Sequence, residues 1–148
     1  MPKDEKAFVI LIAEDDEDDF FLTKDAFKEA GIKNKIIWVR NGEELMDYLL
    51  RRGSPGDENC FYRPAMILLD LNMPKMDGRE TLAMIKSDPD LRRIPVTVLT
   101  TSKAQSDILH TYDLGVNSFI QKPVRFQQFV DTIKLFSKYW LNIVKLPE

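Results

Sequence analysis

The sequence predicts an α/β fold, a doubly wound parallel sheet of five strands with five helices on its faces. Three observations carry this. Short apolar runs rich in β-branched residues alternate with longer stretches of helical period. Most of those runs are apolar on both faces, as strands covered by helices on both sides must be. Glycine, Asn-Gly or proline stands at many of the boundaries between them.

Taken in order, Phe8 to Ala13 is the first strand. Phe20, Leu22, Ala26, Phe27 and Ala30 space out a first helix that stops at Gly31, a residue suited to a C-terminal cap. Ile36 to Val39 is the second strand, and Asn41-Gly42 opens a second helix through Glu44, Leu45, Tyr48 and Leu49. Residues 51–63 (RRGSPGDENCFYR) form a polar loop of unusual length and read as a surface insertion. The third strand is Ala65 to Leu69, the third helix Gly78 to Ser87, and Pro89 and Pro95 bracket the loop beyond it. Val96 to Thr101 gives the fourth strand, Ala104 to Asp113 a fourth helix ending before Gly115, and Ser118 to Gln121 the fifth strand. Apolar residues at 126, 129, 130, 133, 136, 140 and 144 predict a last helix from Phe126 to Val144.

At 148 residues and 44% apolar composition the chain has the size of one domain, 1–148, with residues 137–148 prolonging the last helix into a tail. Lys+Arg 21 against Asp+Glu 24 gives a formal charge of −3, without the positive excess that holds a phosphate backbone, so nucleic acid is not an expected partner. The apolar run Phe8–Ala13 is about half the length of a secretory core, and no stretch approaches the roughly 18 to 20 apolar residues of a membrane span. The single Cys60 cannot form an internal disulfide. A reducing cytoplasm fits these facts.

In an open parallel sheet, ligands bind beyond the carboxyl ends of the strands. Those ends are far from random here: Glu14-Asp15-Asp16 after the first strand, Asp70 after the third, Thr100-Thr101 at the fourth and Lys122-Pro123 after the fifth. Carboxylates converging in this way repel one another without a cation, and hard oxygen ligands suit Mg²⁺, which completes its shell with waters and phosphate. Any one of these acids alone reads as a solvated loop residue. Together they read as a site for a metal and a phosphoryl group.

The residues Glu14-Asp15, Leu69-Asp-Leu-Asn-Met-Pro-Lys-Met-Asp-Gly78, Thr100 and Lys122-Pro123 resemble the receiver domain of two-component response regulators, a CheY-like, flavodoxin-like fold, over about residues 7 to 136. Leu99-Thr-Thr-Ser-Lys103, Tyr112 to Pro123 and Tyr139-Trp-Leu141 are similar, more narrowly, to stand-alone regulators paired with bacterial phytochrome kinases. The resemblance implies that Asp70 is the phosphoryl acceptor, a carboxylate nucleophile. It further implies that Asp15 and Asp70, the backbone carbonyl of Asn72 and, through water, Glu14 ligate Mg²⁺, with Asp16 a neighbour only. Lys122 and Thr100 would donate to phosphoryl oxygens, and Phe119 would change rotamer as the Thr100 hydroxyl moves. Pro123 is expected to follow a cis bond that aims Lys122 inward. Thr101 departs from the family, which more often has a small residue there, and this bears on the dephosphorylation rate.

The implied partner is a sensor histidine kinase, a bacterial phytochrome on the narrower resemblance, and with no output domain in view signalling would run through association with an unknown downstream protein. Two rival readings are weaker. An aspartyl-nucleophile phosphatase needs a second aspartate two residues after the first as general acid, and that position is Asn72. A pseudo-receiver would lack Asp70, Lys122 or the acidic pair, all of which are present. Catalysis by the protein itself would be limited to self-phosphorylation and slow autodephosphorylation. His110 reads as an ordinary, partly exposed residue, and Met66, Met73, Met76 and Met84 as core and loop packing. On the last helix, Leu135, Tyr139 and Ile143 form a second apolar row beside Phe129, Ile133, Phe136 and Trp140, which predicts a homodimer through the fourth helix, fifth strand and fifth helix. The alternative reading is that the tail Leu141–Leu146 of the same chain folds back over that row.

Overall fold

The computed structural model describes residues 9–50, 63–101 and 104–143, and the side chains of these up to residue 140. The 51–63 insertion, apart from Arg63, lies outside the described residues, as do Cys60 and the side chains of the Leu141–Leu146 tail.

Five parallel strands, β1 (Val9–Ala13), β2 (Lys35–Val39), β3 (Pro64–Leu69), β4 (Val96–Thr100) and β5 (Ser118–Gln121), form one sheet in the order β2-β1-β3-β4-β5. They alternate with α1 (Glu17–Glu29), α2 (Gly42–Leu49), α3 (Gly78–Ser87), α4 (Gln105–Leu114) and α5 (Phe126–Ser137). β1 and β3 are buried along their whole length, which is why they read as unbroken apolar runs. Side chains at alternate positions fill two cores. Ile10, Ile12, Met66, Leu68 and Leu99 pack with α1 and α5, while Leu11, Ala13, Ile67, Leu69, Val96 and Val98 pack with α2 and α3.

Three helix starts are written locally. Asp16, Asn41 and Asp77 each accept a backbone N–H of the following turn, from Asp19, Glu44 and both Arg79 and Glu80, and so satisfy donors that a helix cannot satisfy itself. Gly31, just past α1, has φ +79° and Gly115, at the end of α4, has φ +102°, as left-handed caps require.

The structure differs from the sequence expectation in four places. On α1 the inward row is Phe20, Thr23, Ala26 and Phe27, and Leu22 lies on the outer face; Thr23 can go inside because its hydroxyl donates to the Asp19 carbonyl at 2.9 Å. Met84 is exposed on α3, whereas Met66 and Met73 are buried. The last helix is not one α-helix to Val144: α-geometry ends at Ser137 and Lys138–Ile143 is wound as a π-helix, whose wider turn breaks the 3.6 period. Finally, no peptide bond among the described residues is cis, Lys122–Pro123 included. Lys122 turns inward without it, because its backbone N–H closes on the Thr100 carbonyl at 2.7 Å and its ammonium is drawn by buried carboxylates.

Candidate functional site

The strand order reverses between β1 and β3, and there the crevice opens at the carboxyl ends. Backbone ladders carry the chain into it. Ala13 pairs with Leu69 in register, the Asp70 N–H donates to the Ala13 carbonyl at 3.1 Å, and the Glu14 N–H donates to the Val39 carbonyl at 3.0 Å. Glu14 and Asp70 are thus set side by side by the sheet itself. Both are buried, at 4% and 8% exposure, while Asp15 faces solvent. Carboxylate oxygens of Glu14, Asp15 and Asp70 lie within 4.8 Å of one another, an all-oxygen donor set of the kind a hard divalent cation accepts, open on the Asp15 side.

Lys122, 7% exposed, answers this charge from β5. Its Nζ donates to Glu14 Oε1 at 2.5 Å, to Asp19 Oδ2 at 2.9 Å and to Asp70 Oδ2 at 3.5 Å. Burial pushes the Glu14 carboxyl up to about 8; Lys122 pulls against this and the Asp70 charge adds to it. Burial would lower Lys122, but the Glu14 and Asp70 carboxylates outweigh it and hold the ammonium above its ordinary value. The lysine is therefore cationic at any physiological pH.

The loop after β3 completes the wall. The Asn72 N–H donates to Asp70 Oδ1 at 3.2 Å, and the Asn72 side-chain amide reaches the fully buried Thr100 hydroxyl at 3.4 Å. Lys75 and Met76 stand at φ +47° and +70°, a left-handed pair of non-glycine residues costing on the order of 1 kcal/mol each. The loop closes where the Gly78 N–H donates to the Leu71 carbonyl at 2.9 Å. A Cβ at Gly78 would collide with the Asp70 carbonyl oxygen and the Leu71 backbone, so only glycine lets α3 start this close to Asp70. Beyond it, Arg79 forks onto Asp107 of α4 through Nε and Nη2 at 2.7 Å each and reaches Asp77 through Nη1 at 2.9 Å, tying the loop to the next helix.

Of the residues singled out by sequence, Glu14, Asp15, Asp70, Asn72, Thr100 and Lys122 come together. Phe119 is half-buried in the α2/α3-side core and pairs in register with Val98, on the sheet face Thr100 shares by alternation. Asp16 turns away to cap α1, and Thr101 and His110 are exposed. Sequence reasoning misses Asp19, although its place three residues after Asp16, in the first helical turn above the strand ends, is a usable signal. It also misses Trp38, whose Nε1–H donates to the Glu14 carbonyl at 2.8 Å and whose ring stacks on Phe20 at 4.0 Å, with the Arg40 guanidinium 4.2 Å from the ring centroid.

No helix among the described residues is long and apolar enough to cross a membrane. The family model for the response regulator receiver domain matches residues 10–134. Response regulator Rcp1 of Synechocystis is 40% identical over 139 residues, covering 94% of this chain and 92% of its own length. Its Mn²⁺-bound crystal structure superposes with a TM-score of 0.87 over 95% of this chain and 99% of that one. The phosphorylated cyanobacterial phytochrome response regulator RcpA gives a TM-score of 0.88 at 42% identity, over 95% and 99% of the two chains. A probable methanogenesis regulatory protein, FilR2 of Methanothrix harundinacea, is 39% identical over 143 residues, 97% of this chain and 90% of its own. With its fold, site geometry and relatives in agreement, the chain belongs to the response regulator receiver domain family and is related within it to the phytochrome response regulators.

Proposed function

We propose that the protein is a phosphoacceptor, taking a phosphoryl group from a sensor histidine kinase onto Asp70 and signalling by altered association. The observation that carries this is the buried Asp70 carboxylate, placed by the β1–β3 ladder against two further acids and one lysine. An Asp70 oxygen attacks phosphorus, the new P–O bond forms as the bond to the donor imidazole breaks, and the imidazole nitrogen keeps the electron pair and gains a proton. Lys122 and the Thr100 hydroxyl are the donors for the phosphoryl oxygens, one a point charge and one neutral. Asp15, Asp70 and the Asn72 backbone carbonyl, with Glu14 through water, would hold Mg²⁺, which when bound supplies positive charge against the carboxylates and a ligand position for a phosphoryl oxygen. The likeness to RcpA, a phytochrome response regulator, favours a phytochrome-type kinase as donor. Acetyl phosphate with Mg²⁺ is expected to add one phosphoryl group, read by intact mass, and excess EDTA to prevent it. Equal labelling with and without the metal would overturn the reading.

The association surface we favour is α4-β5-α5, in an isologous dimer. Leu135 is 71% and Leu109 66% exposed, and Tyr112 and Tyr139 are about half exposed, so an apolar surface flanks the edge strand β5. Leu135→Glu with Tyr139→Glu is expected to weaken self-association by about 100-fold or more while phosphoryl uptake continues. Light scattering across a concentration series decides it: a wild type that stays monomeric with and without phosphorylation excludes the dimer.

A further inference from the structure

Lys122 has three N–H donors, and all three are engaged, by Glu14, Asp19 and Asp70. The longest of these hydrogen bonds, 3.5 Å, is the one to Asp70; the two short ones draw the ammonium toward the start of α1. In the acyl phosphate Asp70 is no longer a free carboxylate, so the donor it weakly holds passes to a phosphoryl oxygen, and the ammonium moves toward that oxygen only by lengthening one of its two short hydrogen bonds. Their acceptors are unequal in this respect. The Glu14 side chain is 5% exposed and poorly solvated if its hydrogen bond is lost, whereas that of Asp19 is 35% exposed and passes readily to solvent. The Asp19 backbone is fixed independently of its carboxylate. Its N–H donates to Asp16 Oδ1 at 3.1 Å and its carbonyl accepts the Thr23 hydroxyl at 2.9 Å. These two backbone hydrogen bonds do not use the carboxylate that holds the lysine.

We propose that Asp19 is a positioning residue for Lys122: it holds the ammonium on the α1 side of the site before phosphorylation and releases it to the phosphoryl group afterwards. Asp19 therefore sets how strongly the site retains a phosphoryl group. The inference rests on the reading that Lys122 donates to that group.

The test is calorimetric titration of beryllofluoride, a phosphoryl mimic, into Mg²⁺-saturated protein. Asp19→Asn keeps both backbone hydrogen bonds and removes the competing charge, so it is expected to bind the mimic about fivefold tighter, the modest factor appropriate to a partly exposed ion pair. Asp18→Asn removes the same charge from the same turn at an exposed side chain that is not among the three partners of Lys122, and is expected to change affinity less than about twofold. Asp19→Glu, which restores the carboxylate, should fall back toward wild type. An Asp19→Asn protein no tighter than Asp18→Asn overturns the role of Asp19. Lys122→Ala is titrated alongside: if it binds the mimic like wild type, the reading of Lys122 itself fails, and that outcome is separate from the first.

Discussion

Asp70→Asn is expected to abolish phosphoryl uptake while leaving the fold in place. The amide is nearly isosteric with the carboxylate, and its oxygen can still accept the Asn72 N–H that Asp70 Oδ1 accepts at 3.2 Å. Of the three hydrogen bonds made by Lys122, the substitution weakens only the longest, at 3.5 Å, and those to Glu14 and Asp19 remain. What would disappear is the proposed nucleophile, because a neutral amide oxygen does not displace an imidazole or acetate leaving group. Intact mass after acetyl phosphate and Mg²⁺ is expected to show no added group, with circular dichroism unchanged. A variant labelled to the wild-type extent at another residue would remove Asp70 from the mechanism.

The second large effect is that of Lys122→Ala, and it depends on the metal. Sequence alone suggests that this substitution leaves the fold and Mg²⁺ binding largely intact and uncouples phosphorylation from the conformational response. The structure changes the first half of that expectation. Lys122 is the cation between two buried acids, and its removal leaves Glu14 and Asp70 facing each other without compensation. Breaking one side of a buried ion group costs about 3 kcal/mol, which for a domain of this size lowers the melting temperature by about 6–12 °C. On the proposed reading Mg²⁺ binds the native state and not the unfolded chain, and it should then restore much of the loss by mass action. The measurement is thermal unfolding in EDTA and in Mg²⁺, followed by light scattering of the phosphorylated variant. An equal loss in both buffers would argue against a cation site at these acids, and phosphorylation-dependent association like wild type would refute the uncoupling.

The frame of the molecule is legible in the sequence because its signals are local or periodic. β1 and β3 read correctly since strands buried on both faces have no polar register to misjudge. α3 falls at Gly78–Ser87 in both sequence and structure because the cap at Asp77 and the proline beyond are within a few residues of the helix they bound. Glu14, Asp70 and Lys122 can be grouped because parallel topology brings strand ends to one edge whatever the side chains do. What escapes is decided by neighbours far along the chain. Asp19 meets Lys122 across 103 residues and Asp107 meets Arg79 across 28, and no periodicity encodes either pairing. Leu22 and Thr23 exchange places because a threonine that satisfies its hydroxyl on its own helix is, for packing, a small apolar residue. The π-helix at Lys138–Ile143 is hidden because a change of winding leaves composition untouched.

The indole of Trp38 gives the molecule an optical gauge of its own. Its N–H is anchored to the carbonyl of the first acid and its ring is clasped between a phenyl group and a guanidinium, so a change at that backbone alters the polarity and quenching the chromophore feels. The sequence has one other tryptophan, Trp140, which sits among aromatic rings beyond the end of α5, 6.5 Å from Phe136 and 5.6 Å from Tyr139. Replacing either with phenylalanine isolates the emission of the other. Events at the acids and events at the far end of the last helix can then be timed separately in the unlabelled protein.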